Sequence, residues 1–146
     1  MENLRYLLYQ YRPSTAFFLG DRFAYKDKDL EEGYMSGSGY ILSRKALIKF
    51  AYNISIAPST DSFFKDGTLE DVNMGRMLGH SAIFVDTRDE LHQKRFFPLN
   101  IAMHFTPRNV NSTFWYPRYL YYDFTPGMSC CSDVPVLFHY IQNKTR

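Results

Sequence analysis

Apolar positions recur along this chain with changing periods, and each period predicts an element. Leu4, Leu7, Leu8 and Tyr11 fall on one face at helical spacing, which predicts a helix from Glu2 to Tyr11 that Pro13 ends. Ala16 to Leu19 is a short apolar run and reads as a buried strand. Gly20 to Glu32 is polar, with acids and lysines crowded toward its end, so an exposed loop is expected there. Gly33 to Tyr40 holds three glycines and reads as a turn between two elements. Ser43 is a good N-cap for a helix from about Arg44 to Tyr52, followed by loop from Asn53 to Gly67. Thr68 is placed to cap a second helix, with Asp71 three residues on in a capping-box-like arrangement and an end near Gly79. Ser81 to Val85 reads as a short strand. Beyond Asp86, Pro98, Pro107, Pro117, Pro126 and Pro135 punctuate a largely irregular region of the kind that builds sites.

Composition adds limits. The 146 residues suffice for one domain with a modest core, and 45% hydrophobic content excludes compositional disorder. A net charge of +2 with scattered basic residues gives no case for nucleic acid as a partner. No run is long and apolar enough to span a bilayer, and no apolar segment after Met1–Arg5 makes a signal peptide. Against this, the sequons at Asn53, Asn111 and Asn143 bear on a lumenal history. Aromatics make up 18% of the chain, which suits both core packing and the binding of sugar rings.

Five constellations carry candidate chemistry, each with a plain structural alternative. Glu70 and Asp71 open a helix, where the helix dipole favours carboxylates, and either could serve as a general base toward a hydroxyl. The Gly33–Tyr40 stretch would let backbone N–H groups approach a phosphate or sugar, although it lacks the P-loop pattern. Phe114, Trp115 and Tyr116, followed by Tyr119, Tyr121 and Tyr122, form either a sugar-binding wall around the chain's single tryptophan or a strand with alternating aromatics. His139 lies between Phe138 and Tyr140, where a core histidine and a metal ligand are both open readings, as they are for His104. His80 and His92 read as surface residues. Cys130 and Cys131 are adjacent, which rules out a CxxC motif and leaves two free thiols or a strained vicinal bridge.

Taken in order, these residues are more specific than any one of them. Glu2-Asn3-Leu4-Arg5, Gly33-Tyr34-Met35-Ser36-Gly37, Gly39-Tyr40-Ile41-Leu42-Ser43, Glu70-Asp71-Val72, Asp86-Thr87-Arg88-Asp89, Phe114-Trp115-Tyr116, Cys130-Cys131-Ser132-Asp133 and Phe138-His139-Tyr140 together resemble the core 1 β1,3-galactosyltransferases. These are also called T-synthases or glycoprotein-N-acetylgalactosamine 3-β-galactosyltransferases, within the Fringe-related β1,3-glycosyltransferase family. The resemblance implies an α/β chain of GT-A glycosyltransferase fold, with residues 1–146 as the C-terminal half of the catalytic domain. It implies inverting, Mn2+-dependent transfer of galactose from UDP-galactose to O3 of Ser/Thr-linked N-acetylgalactosamine on glycoproteins. It also implies a Golgi-lumenal, membrane-anchored parent and allows a homodimer.

By resemblance, Asp71 is the general base and His139 a ligand to Mn2+. Gly37, Gly39, Tyr40, Glu70, Trp115, Tyr116 and Tyr122 are the substrate-binding residues. Departures limit this. The family's Asp-x-Asp motif, nucleotide-binding half and anchor lie ahead of the segment that begins here at Met1, so the chain alone is expected to be inactive. The glycine segment is one residue shorter than the family's, and Pro117 stands where a second Trp is frequent. A cysteine pair that brackets the Glu-Asp helix in many relatives is missing, with Met77 at one position, which leaves Cys130 and Cys131 to each other. A non-catalytic paralogue, acting as chaperone or binding module for a full-length transferase, is the competing expectation.

Overall fold

Seven consecutive buried residues, Phe17–Phe23, make strand β1 the centre of the fold. In the computed structural model, residues 1–24, 30–57, 69–105 and 115–141 are described. Strand β1 pairs antiparallel with β2 (Tyr34–Leu42) and parallel with β3 (Ile83–Phe84), giving the order β2-β1-β3. Side chains alternate across a strand, and both faces of β1 are covered. Phe18 packs with Met35, Met74, Leu78 and Phe84 on one face. Phe17 and Leu19 pack with Leu7 and Phe96 on the other.

Helix α1 (Glu2–Leu8) supplies Leu7, and β4 (Phe96–Phe97) supplies Phe96. Tyr11, expected as the last turn of α1, lies beyond its end and packs its ring against Phe17 at 5.3 Å. Helix α2 (Arg44–Ile56) starts as the sequence reads: the Ser43 hydroxyl accepts from Ala46 N–H at 3.1 Å and also from Phe17 N–H at 3.1 Å. It runs on through Asn53, where a loop was expected. There the Asn53 side-chain amide donates to the Met77 carbonyl at 2.7 Å and ties α2 to helix α3 (Glu70–Leu78). Helix α4 (Ile101–Phe105), short 3-10 turns at Tyr116–Arg118 and Met128–Cys130, and strand β5 (Leu137–Phe138), parallel to β4, complete a mixed α/β arrangement.

Two further expectations are corrected. Gly20 to Phe23 is not loop but the second half of β1, because its charges find distant partners: Lys94 for Asp21 and Glu32 for Arg22. Beyond Gly33, which ends a turn at φ +71°, the glycine stretch is not a turn but part of β2. It is an irregular part. Gly20 faces Tyr40 and Arg22 faces Met35, so two steps along β1 match five along β2. The three surplus residues lift Ser36–Gly39 out of the ladder, as bulges do next to functional sites.

Candidate active site

Helix α3 delivers its first turn to this bulge. Val72, Met74, Gly75 and Leu78 are buried against the core, which fixes the rotation of the helix and leaves Glu70 and Asp71 toward solvent. Gly37 N–H donates to Asp71 Oδ2 at 2.8 Å, and Val72 N–H donates to Oδ1 at 2.9 Å. A carboxylate oxygen accepts more than one bond, so both remain able to accept a hydroxyl proton. A Cβ at residue 37 would lie 3.2 Å from Asp71 Oδ2, so glycine permits this approach. The capping role expected of Thr68 lies outside the described residues, and the cap position is Leu69, with no side-chain bond. Glu70 accepts from the Tyr40 hydroxyl. Burial, then this bond and the Glu70 charge, raises the Tyr40 pKa, so it remains a donor at neutral pH.

The two carboxylates border a cleft of about 770 Å3, within the range of small-ligand sites. Phe23, Tyr34, Trp115 and Tyr119 form an aromatic wall, and Ser36, Arg76 and His139 add polar groups. Trp115 is 46% exposed, its ring 6.3 Å from Phe23 and 6.0 Å from Tyr119. The main chain of His139 extends the β4–β5 pairing through a bond to the Phe97 carbonyl at 2.9 Å, and Tyr140 turns the chain with φ +54°.

Thus Gly37, Glu70, Asp71, Trp115 and His139, spread over a hundred residues of sequence, line one cleft. The other candidates lie elsewhere. Tyr40 reaches the site through Glu70. Gly39, at φ +145°, makes room for Leu137, against whose Cδ1 a Cβ would stand at 2.6 Å. Tyr116 is fully buried, its hydroxyl bonded to Asp21, and does not face the cleft. Tyr122 borders a separate cleft of about 410 Å3, where its ring lies 3.7 Å beneath the Arg88 guanidinium. The sulfurs of Cys130 and Cys131 are joined to each other and pack against Phe97, Phe105 and Phe138. His104 is a core residue set edge-on to Phe97 and Tyr116.

Sequence reading missed Asp21 and Lys94, a buried ion pair below the aromatic wall, and Arg76 in the cleft. Asp21 and Lys94 stand 73 residues apart, so no local pattern joins them. Among the described residues no group of three or more His, Cys, Asp or Glu could hold an ion, although His139 shares its cleft with Glu70 and Asp71.

No family model matches the chain. Among curated proteins, the glycoprotein-N-acetylgalactosamine 3-beta-galactosyltransferase 1 of Xenopus laevis is 34% identical over 146 residues, taking in 97% of this chain. The chain is related, over almost all its length, to a glycosyltransferase. The family is that of the glycoprotein-N-acetylgalactosamine 3-β-galactosyltransferases, as the ordered motifs imply, and the chain spans 38% of that relative's length.

Proposed function

We propose that this chain carries the acceptor-activating part of a galactosyltransferase of GT-A fold, corresponding to the C-terminal part of its catalytic domain. The reaction is inverting transfer of galactose from UDP-galactose to O3 of N-acetylgalactosamine on Ser or Thr. The observation that carries the reading is the Asp71 carboxylate in the cleft, oriented by two backbone N–H groups beside a tryptophan wall. The similarity to the Xenopus enzyme supplies the substrate class.

In this reading the acceptor O3 attacks the anomeric carbon in line as the bond to UDP breaks, and Asp71 takes the hydroxyl proton. The Gly37 N–H holds one carboxylate oxygen in place, so orientation rather than covalent chemistry is the protein's contribution. Trp115 offers an apolar face to sugar C–H groups, and Glu70, held by Tyr40, accepts from a ring hydroxyl. Mn2+ would neutralise the departing diphosphate. The described residues do not complete a site for that ion. A Golgi-lumenal setting in a longer, anchored parent accompanies this function. Among the described residues no helix is long and apolar enough to cross a membrane.

Fluorescence titration of Trp115 with a peptide bearing N-acetylgalactosaminyl-threonine tests the reading. A saturable change that the unglycosylated peptide does not produce is expected, with weaker binding in D71A. Equal responses to both peptides would refute it. The chain alone is expected to bind without transferring galactose, because the described residues hold no group of three metal donors. The same lack favours a second reading, a non-catalytic acceptor-binding module. The coding sequence upstream of Met1 separates the two: an in-frame Asp-Asp-Asp and apolar span support the enzyme, and a stop codon supports the module.

A further inference from the structure

Three buried polar groups from three separate segments meet beneath the aromatic wall. Asp21 on β1, Lys94 just ahead of β4 and Tyr116 in the first 3-10 turn are 4%, 8% and 0% exposed. Lys94 Nζ donates to Asp21 Oδ1 at 2.8 Å and lies 3.1 Å from the Tyr116 hydroxyl, which donates to Asp21 Oδ2 at 3.1 Å. The three contacts close a ring. Burial raises the Asp21 pKa and lowers that of Lys94, in each case against the attraction between them. Such a pair is weak evidence for stability, because apolar residues of the same volume frequently serve as well. Its position gives it a different role.

Chain neighbours of the ring's members line the cleft. Phe23 lies two residues along β1 from Asp21, and Trp115 immediately precedes Tyr116. Backbone bonds secure the far end of the 3-10 turn to β1: Ala24 N–H donates to the Tyr119 carbonyl at 2.6 Å, and Tyr121 N–H to the Arg22 carbonyl at 3.1 Å. At the near end the Trp115 carbonyl accepts from Arg118 N–H at 3.1 Å within the turn, and the Tyr116 side chain ties that end to β1 through Asp21. We propose that Asp21, Lys94 and Tyr116 are positioning residues that set Trp115 in the cleft wall, whatever ligand the cleft takes. Lys94 presents Asp21, Asp21 fixes the Tyr116 hydroxyl, and Tyr116 fixes the main chain from which the indole projects. Lys94 is itself placed by main-chain bonds to Cys130 O at 3.3 Å and Ser132 N at 2.9 Å.

Trp115 is the one tryptophan of the chain, so its emission reads the wall directly. Three variants separate positioning from bulk stability. D21L/K94M removes both charges and the acceptor for the Tyr116 hydroxyl while keeping an apolar filling. D21N/K94M removes both charges but leaves an amide oxygen for that hydroxyl. Y116F removes the hydroxyl and keeps the ion pair. Circular dichroism reports folding, and acrylamide quenching reports the indole. From 46% exposure, full release of Trp115 raises its quenching constant about twofold. A rise toward that value is expected in D21L/K94M and in Y116F, with return to the parent value in D21N/K94M. Unchanged quenching in folded Y116F overturns the proposal. So does an equal rise in D21N/K94M and D21L/K94M. Should D21L/K94M fail to fold, Y116F decides alone.

Discussion

Replacing Gly75 with alanine sets two effects of opposite sign against each other at the contact that creates the site. Residue 75 lies inside α3, where alanine is favoured over glycine by about 1 kcal/mol. Its Cβ, however, would stand 2.5 Å from Tyr34 Cβ and 3.1 Å from the Gly33 carbonyl oxygen. Carbon atoms pack at about 3.5–4.0 Å, so α3 must retreat from β2 by roughly 1 Å. Neither neighbour can yield instead: Tyr34 is 4% exposed within the core, and the carbonyl is main chain. Overpacking costs about 1–3 kcal/mol, and contacts with fixed atoms belong at the upper end. The net expectation for G75A is a loss of about 2 kcal/mol despite the better helix former. Urea unfolding followed by circular dichroism would show the midpoint falling by roughly 1 M. The same retreat stretches the 2.8 Å bond from Gly37 to Asp71 past hydrogen-bonding distance, so glycopeptide binding should weaken as well. A midpoint equal to or above that of the parent would refute the claim that Gly75 sets the α3–β2 spacing.

Other expectations follow from single groups. S43A deprives both Ala46 N–H and Phe17 N–H of their acceptor, costing about 2 kcal/mol and lowering Tm by roughly 5–10 °C in calorimetry. Burial, with the Lys94 charge second, holds the His104 pKa at about 4, against 6.5 for an ordinary histidine. The unfolded chain therefore takes up this proton first. Stability present above pH 6.5 is lost as pH falls toward 4, by up to about 3 kcal/mol, and H104N should flatten that slope in urea midpoints. Alkylation without reductant should leave Cys130 and Cys131 unmodified, in a peptide lighter by two hydrogens than the reduced form. Two alkylated cysteines would refute the bridge.

What the sequence made legible was local. The Ser43 cap, the Gly79 end of α3 and the apolar face of α1 depend on neighbours within a turn or two, and they stand as read. What it hid depended on distant partners. Asp21 and Arg22 read as loop because charge favours solvent, yet Lys94 and Glu32 let β1 bury them. The glycines read as a turn because glycine tolerates unusual φ. Two of them serve close approach instead, Gly37 to Asp71 and Gly39 to Leu137. Tyr116 read as part of a sugar wall with Trp115. Adjacent residues in a tight turn point apart, and only the indole reaches the cleft.

The tie between α2 and α3 bears on how the chain matures. The Asn53 amide nitrogen, which donates to Met77, is the atom that N-glycosylation would use, and the sequon's Ser55 hydroxyl donates to the Tyr52 carbonyl at 2.7 Å. Folding and sugar attachment therefore call on the same nitrogen. A glycan at Asn53 would replace one of the two hydrogens on the nitrogen that joins α2 to α3, so its attachment and the docking of the two helices bear on each other. In the folded protein this sequon's nitrogen is already the link between two helices.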